Sequence, residues 1–513
     1  MVRRPLALAL IAIAAAFSGA ASAEAATDAS GRTGEVRFVK RMTPEFDRHV
    51  TNTSPAQQAW LNKKFWRAEV FNPFFDGMTS WYTKGWVYKD LYAIGNGSPQ
   101  ASQNPDWILK SQTGEKLYIP WGCGNNWCPQ YAADITNPAY RASWIANLKA
   151  AIAKGYKGAW IDDVNLERRV SNAAGTDVAP YSATLGRTMT ADDWRKAMAD
   201  FTEQIRRELP STEILHNSIW YAGQGAGRDA NPDVQRQIAS ADYINIERGF
   251  NDGGLTGGNG EWGVRALHGF VDRVHAMGKG VIVDAFDNTS AGMEYSLANY
   301  LLVNAGKDGV GEISQGPDSW WKGWDTDLGT ATSGRYDWQG TIRRDFTGGI
   351  VLVNEPGAPT RTVTLPQPMT TIDGATVTTV TVGAGRGAVL LGAGATAGAP
   401  DAPTTGTGAS VQPGKTTTTK APTKGSAVQG QGGTGDATQT TDCKKTRVTY
   451  PTLRWNARKA RFVSTKGSAV VCIDAKLKNG TKAHKSAVKK AKRVARSASL
   501  RKAQAARKAS VNV

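Results

Sequence analysis

Two short apolar runs in the sequence end on carboxylates. GAWIDDVN, residues 158–165, ends on Asp162 and Asp163, and INIERGF, residues 244–250, carries Glu247. Two carboxylates facing one cleft can cleave a glycosidic bond, because one protonates the leaving oxygen while the other acts as nucleophile or activates water. If both runs are strands of one parallel barrel, both acids lie at the end where such barrels build active sites. We therefore predict that Asp162 and Glu247 form a catalytic pair.

The alternation of aliphatic residues supports this pair. Side chains along a barrel strand face the helix layer and the barrel axis in turn, and Ala159 and Ile161 are suited to the helix layer. That parity leaves Asp162 facing the axis, and the same reasoning applies to Glu247. The competing interpretation is structural. Asp162 and Asp163 would then cap a helix or pair with Lys157, Arg168 or Arg169. Glu247 would pair with Arg248. The predicted substrate-binding residues, by parity or rim position, are Tyr88, Asp90, Trp121, Asp163, Asn217, Trp220, Asn245 and Asp284.

Strand-like and helix-like segments alternate between residues 64 and 319. Runs such as KGAWIDDVN, TEILHNSIW and KGVIVDAF are separated by amphipathic stretches such as ADDWRKAMADFTEQIRRELP. Six or more such units predict a (β/α)8 TIM barrel. An open doubly wound sheet is the alternative, but no glycine fingerprint follows a first strand. Counting predicts that Asp162 ends the fourth strand, that Glu247 follows the sixth, and that Tyr88 and Asp90 lie on the second.

Composition divides the rest of the chain. From residue 343 to 392 short β-rich runs separated by Gly and Pro predict a small antiparallel β-sandwich. The following stretch is rich in Gly, Thr, Ala and Pro, so it cannot bury enough apolar surface to fold and reads as a disordered linker. The predicted units are a signal peptide (1–23), a lead-in segment (24–63), a barrel (64–342), a β-sandwich (343–392), a linker (393–442) and a basic C-terminal module (443–513).

The N-terminus predicts export. Arg3 and Arg4 precede an apolar run that ends before a small-residue cleavage pattern at Ala21–Ala23. The run is too short for a membrane span, so we expect a secreted protein without one. Export favours disulfides, and the four cysteines form two local pairs. No histidine lies near either pair to support the zinc alternative, so we predict the disulfides Cys123–Cys128 and Cys443–Cys472.

The net charge of +18 belongs to the C-terminus. From residue 443 onward 21 lysines and arginines face Asp474 alone, a local net charge of +20, which leaves −2 for the rest. Such a segment is suited to polyanions. An exported protein meets acidic wall polymers before nucleic acid, so we predict that the tail binds an anionic cell-envelope polymer. A solubilising tail without a partner is the alternative.

The sequence lacks the motifs of several other common enzyme classes. The five histidines form no HExxH pattern, no serine lies in a G-x-S-x-G elbow, and no phosphate-binding loop is present, so the sequence implies no metal and no organic cofactor. The 17 tryptophans, many in predicted loops, are suited to stacking on sugar rings.

The segments DITNPAYRASWIANLKAAIAKGYKGAWIDDVN, NSIWY, INIERGF and RDFTGGIVLVNEPG together resemble the TIM-barrel glycoside hydrolases. Over residues 64–392 the chain most resembles the family catalogued as a hypothetical glycosyl hydrolase, which is similar to endo-α-1,4-polygalactosaminidases. The resemblance implies catalytic roles for Asp162 and Glu247. We expect a secreted glycoside hydrolase that cleaves a polysaccharide, with amino-sugar and envelope glycans as candidates. The alternative is an inactive carbohydrate-binding or wall-associated protein that uses the same cleft. The sequence leaves the sugar, the stereochemistry and the order of the two roles open.

Overall fold

The computed structural model describes residues 32–123, 127–165, 167–218, 230–312 and 314–392, together with the strands Cys443–Asn456 and Arg461–Asp474. The predicted signal peptide, the predicted linker and most of the basic tail lie outside the described residues. Within the described ranges, no helix is both long enough and apolar enough to cross a membrane.

Eight parallel strands close into a barrel, which confirms the predicted fold class. Each strand pairs with its neighbour along the chain, and the last strand pairs with the first. The barrel strands are β1 (Phe38–Lys40), β2 (Arg67–Val70), β3 (Gly85–Asp90), β6 (Gly158–Asp162), β9 (Glu213–Ser218), β10 (Tyr243–Ile246), β11 (Gly280–Ala285) and β12 (Gly309–Glu312). The connections also contain two short hairpins, formed by β4 (Ala93–Gly95) with β5 (Gln130–Ala132) and by β7 (Tyr181–Ser182) with β8 (Arg187–Thr188).

Helices connect the strands, and most begin at a polar residue that caps the first turn. Thr190 begins the longest one, where its hydroxyl and the Asp193 carboxylate accept each other's backbone N–H in a capping box. Asn137 and Thr289 cap two others through their side-chain oxygens. The helices are α1 (Pro44–Thr51), α2 (Pro55–Lys64), α3 (Pro99–Gln103), α4 (Pro138–Ile152), α5 (Ala191–Glu208), α6 (Pro232–Ser240), α7 (Val264–Ala276) and α8 (Ser290–Val303).

The barrel begins earlier than the sequence predicts. Phe38–Lys40 lies in the predicted lead-in segment, but it pairs with β2 and β12 as the first barrel strand. Asp162 therefore does end the fourth strand, and Glu247 follows the sixth, as predicted. Tyr88 and Asp90 lie on the third strand and not on the second. The strand was missed because three residues are too few to show a period-2 pattern.

Alternate side chains of the strands face the barrel axis and the helix layer. Ala159 and Ile161 are completely buried toward the helices, while Trp160 and Asp162 belong to the opposite parity. Gly158 starts this strand because a Cβ there would lie 2.1 Å from the Glu213 carbonyl oxygen on β9. The close approach of these strands thus requires glycine, and it sets the fourth strand beside the fifth.

A six-stranded antiparallel sheet follows the barrel. Both faces of its strand β15 are buried. Ile350 and Leu352 face a separate small core within the sheet, whereas Val351 and Val353 join the barrel core. Strand β18 and helix α8 pack together, so the sheet covers the last barrel helix. The strands are β13 (Tyr336–Trp338), β14 (Thr341–Phe346), β15 (Gly349–Asn354), β16 (Arg361–Thr371), β17 (Thr376–Val382) and β18 (Arg386–Leu391).

The described part of the C-terminal module is a two-stranded antiparallel ladder, β19 (Cys443–Asn456) with β20 (Arg461–Asp474). Its register sets Cys443 opposite Asp474 and Cys472 opposite Lys445. The side chains of both cysteines lie outside the described residues, so the disulfide Cys443–Cys472 stays a prediction.

Candidate active site

Three adjacent barrel strands bring polar side chains to the carboxyl end of the barrel. Asp162 ends β6, Asn217 lies near the end of β9, and Glu247 follows β10 directly. The ladder register sets Asn217 beside Asn245 of β10, so these two amides face the axis at the same level. Sequence parity predicted this grouping, because all of these residues occupy axis-facing positions.

The side chain of Asn217 joins the two acids. Its Nδ2 donates to Asp162 Oδ1 at 2.7 Å and to Glu247 Oε2 at 3.5 Å. The two carboxylate oxygens are therefore at most about 6.2 Å apart, which is the two distances laid end to end. Asn217 is only 4% exposed, so this amide is fixed beneath the two acids. A single sugar linkage can lie between carboxylates at such a separation.

Asp162 is held by three hydrogen-bond donors. The Tyr88 hydroxyl donates to Oδ2 at 2.5 Å, and Asn217 Nδ2 and the backbone N–H of Asp163 donate to Oδ1. Burial, reinforced by the nearby charge of Asp162, raises the pKa of Tyr88 well above its usual range, so this phenol stays a donor. Donors of this kind stabilise a carboxylate charge and fix its orientation.

Glu247 stands at the open side of the site, and its side chain is exposed. The chain turns sharply after it, because Arg248 and Gly249 both adopt a left-handed backbone, with φ of 66° and 52°. A Cβ on Gly249 would lie 2.1 Å from the Asp284 carbonyl oxygen, so only glycine allows this turn to lie against β11. The Arg248 guanidinium lies over the Phe286 ring, 5.7 Å from its centroid.

Asp163 and Asp90 extend the acidic cluster. Asp163 has φ of 59°, and its Oδ1 accepts from Asn165 Nδ2 at 3.0 Å and from Trp121 Nε1 at 3.3 Å. Burial, with added repulsion from Asp163 and Asp162, raises the pKa of Asp90 well above its usual range.

Two of the basic residues considered as partners for this cluster pair with other acids. Lys157 pairs with Glu213 at 3.5 Å, and Arg168 pairs with Asp177 at 3.1 Å. Asp90 is buried and Asp163 is half-buried, and both lie near Asp162.

The sequence reasoning missed Arg41. Its guanidinium follows β1, where it donates to Glu69 Oε2 at 2.9 Å and to Asp284 Oδ2 at 2.5 Å, and it stacks over Trp160 at 4.9 Å. Burial alone would lower the pKa of Arg41, but the attraction of Asp284, Glu69 and Glu247 outweighs it and the pKa is raised. The predicted binding candidate Asp284 is thus buried under this cation. The only available signal was Arg41 itself, directly after the short run Phe38–Lys40.

Exposed aromatic side chains lie in the loops that follow the barrel strands. Trp127 is 56% exposed in the connection after β3, Trp262 lies between β10 and α7, and Phe286, which directly follows β11, is 61% exposed. Trp121 is also exposed and contacts Asp163. Flat apolar rings at this end of the barrel can stack on sugar faces. Of the two tryptophans predicted to bind substrate, Trp121 and Trp220, the second lies outside the described residues.

A disulfide closes the loop that carries two of these rings. Cys123 and Cys128 are bonded across five positions of the chain, which confirms the predicted pair. Trp121 lies just before this bridge and Trp127 lies within it. The bridge therefore ties together the backbone next to Trp121 and Trp127.

Comparisons with known proteins place the barrel in a family of glycosyl hydrolases. The family described as Hypothetical glycosyl hydrolase family 15 matches residues 76–350. A search of curated proteins found no match.

Several solved glycosidase structures are similar at low identity. The glycoside hydrolase domain of PelA from Pseudomonas aeruginosa is 14% identical, covering 54% of this chain and 94% of that one with a TM-score of 0.32. An alpha-amylase from Lactobacillus plantarum is 12% identical, covering 71% and 99% with a TM-score of 0.38. An alpha-amylase from Geobacillus thermoleovorans, complexed with acarbose, is 9% identical, covering 70% and 98% with a TM-score of 0.40. Identities and scores this low identify no substrate.

Proposed function

The chain belongs to Hypothetical glycosyl hydrolase family 15, and from this premise we propose that it hydrolyses a polysaccharide with the carboxylate pair Asp162 and Glu247. One observation carries the proposal, namely that the amide of Asn217 contacts both acids at the carboxyl end of the barrel. The pair therefore lies where barrel enzymes carry out their chemistry.

The surroundings of the two acids favour different roles. Asp162 accepts hydrogen bonds from Tyr88, Asn217 and Asp163, which suits a nucleophile that must stay ionised and correctly aimed. Glu247 is exposed and has one long hydrogen bond, so it can reach a leaving oxygen and exchange its proton with water. We assign Asp162 as nucleophile and Glu247 as general acid and base.

The separation of the acids favours retention of configuration. Retaining glycosidases place their carboxyl groups roughly 5–5.5 Å apart, whereas inverting enzymes need roughly 6.5–9.5 Å to admit a water molecule. The two oxygens that Asn217 contacts are at most about 6.2 Å apart, a spacing of this nearest pair that is compatible with a retaining arrangement of the two carboxyl groups. In the proposed reaction Asp162 attacks the anomeric carbon while Glu247 protonates the leaving oxygen, and water then releases the sugar with Glu247 as base.

The substrate class follows from the loops and the acidic cluster. Exposed rings after several strands are suited to a chain of sugars, and Asp163 beside Asp90 is suited to an ammonium group. Amino-sugar polymers and envelope glycans are therefore the first substrates to test.

Export and envelope attachment through the basic tail belong to the same proposal, and they depend on the sequence at residues 1–23 and 443–513.

Reducing-end release from amino-sugar and cell-wall polysaccharides tests the proposal. Wild type is compared with Asp162→Asn and Glu247→Gln, and with Asp177→Asn as a surface control that loses only an exposed ion pair. We expect release by wild type and by the control, and a loss of at least about 1,000-fold in each acid variant. Binding without turnover in all four proteins would instead support the carbohydrate-binding alternative, for which the exposed tryptophans are the specific observation.

A further inference from the structure

Four polar side chains form a continuous chain across the floor of the proposed site. Asp162 Oδ1 accepts from Asn217 Nδ2 at 2.7 Å, and Asn217 Oδ1 accepts from Asn245 Nδ2 at 2.6 Å. The other end of the Asn245 amide lies 3.3 Å from Asp284 Oδ1 and 3.1 Å from the Ile282 carbonyl oxygen. The residues come from four consecutive barrel strands, and Asn245 is completely buried.

This chain lacks one hydrogen-bond donor. It contains three side-chain contacts, but each amide has N–H groups at one end only, so Asn217 and Asn245 can supply donors for only two of them. With the amides as described, Asn217 donates to Asp162 and Asn245 donates to Asn217. The Asn245 oxygen then faces two acceptors, Asp284 Oδ1 and the Ile282 carbonyl oxygen, and it repels Asp284 Oδ1 unless a proton lies between them. Only the Asp284 carboxyl group can supply that proton.

The surroundings of Asp284 leave one of its oxygens available for this proton. Its Oδ2 accepts from Arg41 Nη1 at 2.5 Å and from the Arg248 backbone N–H at 3.4 Å, so Oδ1 is the atom directed at Asn245. Burial raises the pKa of Asp284 to about 7, opposed by Arg41 and helped by the charges of Glu247 and Glu69. These are the charged groups that face it from the neighbouring strands.

We propose that Asp284 is a positioning residue that holds a proton in the active protein, and that its ionisation reverses the two amides. In the ionised form, Asn245 Nδ2 turns to Asp284 Oδ1 and to the Ile282 carbonyl oxygen, both within 3.3 Å. Asn217 Nδ2 must then donate to the Asn245 oxygen. This rotation directs the side-chain oxygen of Asn217 toward Asp162 and Glu247. An oxygen in that position repels an ionised nucleophile.

The inference depends on the proposed function for its kinetic consequence. Asp284 acts through Asn245 and Asn217 and need not touch the sugar. Because its protonated form is the active one, activity is present below the pKa of Asp284 and is lost as the pH rises through it. The switch therefore predicts an alkaline limb in the pH profile of kcat that belongs to Asp284.

Two substitutions move this limb in opposite directions. Asp284→Asn donates permanently to Asn245 and still accepts from Arg41, so the limb should move up by at least about one pH unit. Glu69→Gln removes a charge that raises the pKa of Asp284 and frees Arg41 for it, so the limb should move down. The inference is wrong if Asp284→Asn keeps the wild-type limb, or, should that variant not fold, if Glu69→Gln leaves the limb unmoved.

Infrared difference spectroscopy of the full chain provides a readout that needs no turnover. Wild type minus Asp284→Asn should show a carboxylic-acid C=O band at pH 6 that disappears above pH 8, at about one unit on either side of the pKa of Asp284. Absence of this band would overturn the inference even in an active protein. A band in a wild type that cleaves no polysaccharide would instead contradict the proposed function alone.

Discussion

At the scale of single residues, the site depends on how Asp162 is held. Tyr88 and Asn217 donate to different oxygens of this carboxylate, so rotation of the carboxylate would break both hydrogen bonds. Parity along the strands was sufficient to predict these residues, because axis-facing positions alternate regularly. Arg41 could not be predicted in this way, since its position depends on the closure of β1 against β12.

Removal of the Tyr88 hydroxyl tests this holding role. Tyr88→Phe keeps the ring and deletes a hydrogen bond to a charged group, so we expect kcat to fall by about 10- to 100-fold. Tyr82→Phe is the matched control, because the Tyr82 hydroxyl is also buried but donates to the neutral carbonyl of Phe65 at 3.2 Å. Equal activities of the two variants in steady-state assays would contradict the role given to Tyr88.

At the scale of elements, helix α8 packs against both the barrel and the antiparallel sheet. Arg344 of β14 donates to the carbonyl oxygens of Leu301 and Asn304, both at 2.9 Å, and so satisfies the C-terminal end of this helix. Burial lowers the pKa of Arg344 to about 10, which still leaves the guanidinium charged at neutral pH. The positive charge lies at the negative end of the helix dipole, where it stabilises the junction.

Arg344→Met should lower the free energy of unfolding by about 2–4 kcal/mol, because it leaves buried carbonyl groups without a donor. The neighbouring Arg343 pairs with Asp345 and lies over the Trp338 ring, and Arg343→Met should cost less because it leaves no helix carbonyl without a donor. Urea unfolding of both variants measures the difference. A loss no larger for Arg344 than for Arg343 would show that the capping contact is unimportant.

The elements also show how far the sequence alone leads. The fourth to seventh barrel strands were predictable because their apolar runs are four to six residues long and alternate with helical segments. The first strand has three residues and precedes two helices, so it lacks a readable period. The left-handed backbone at Asp163 and Arg248 was not predictable either, since tertiary contacts, and not local preference, impose it.

At the scale of the whole molecule, the C-terminal part of the chain differs from the rest in its net charge. The net charge is −2 before residue 443 and +20 from residue 443 onward, so the positive charge of the chain lies in its last part. The pairing of β19 with β20 gives part of this basic segment a regular backbone.

A chain that ends at Asp442 tests envelope attachment. We expect the full-length protein to cosediment with purified cell walls at low salt and to be released as the salt concentration rises, because exposed charges are screened. The shortened chain should stay in the supernatant while it keeps its activity on soluble substrate. Equal retention of both chains on the walls would end the proposal for the tail.

The most direct test of the central claim is mass spectrometry of the Glu247→Gln variant after incubation with an activated glycoside of the sugar that the wild type releases, whose leaving group departs without protonation. Without its general base the variant should release the sugar slowly, so we predict a covalent adduct of whole sugar units on the peptide that contains Asp162. The same incubation with Asp162→Asn should give no adduct. An adduct on any other residue, or wild-type turnover by Asp162→Asn, would contradict the assignment of Asp162 and Glu247 as the pair that acts on one glycosidic bond.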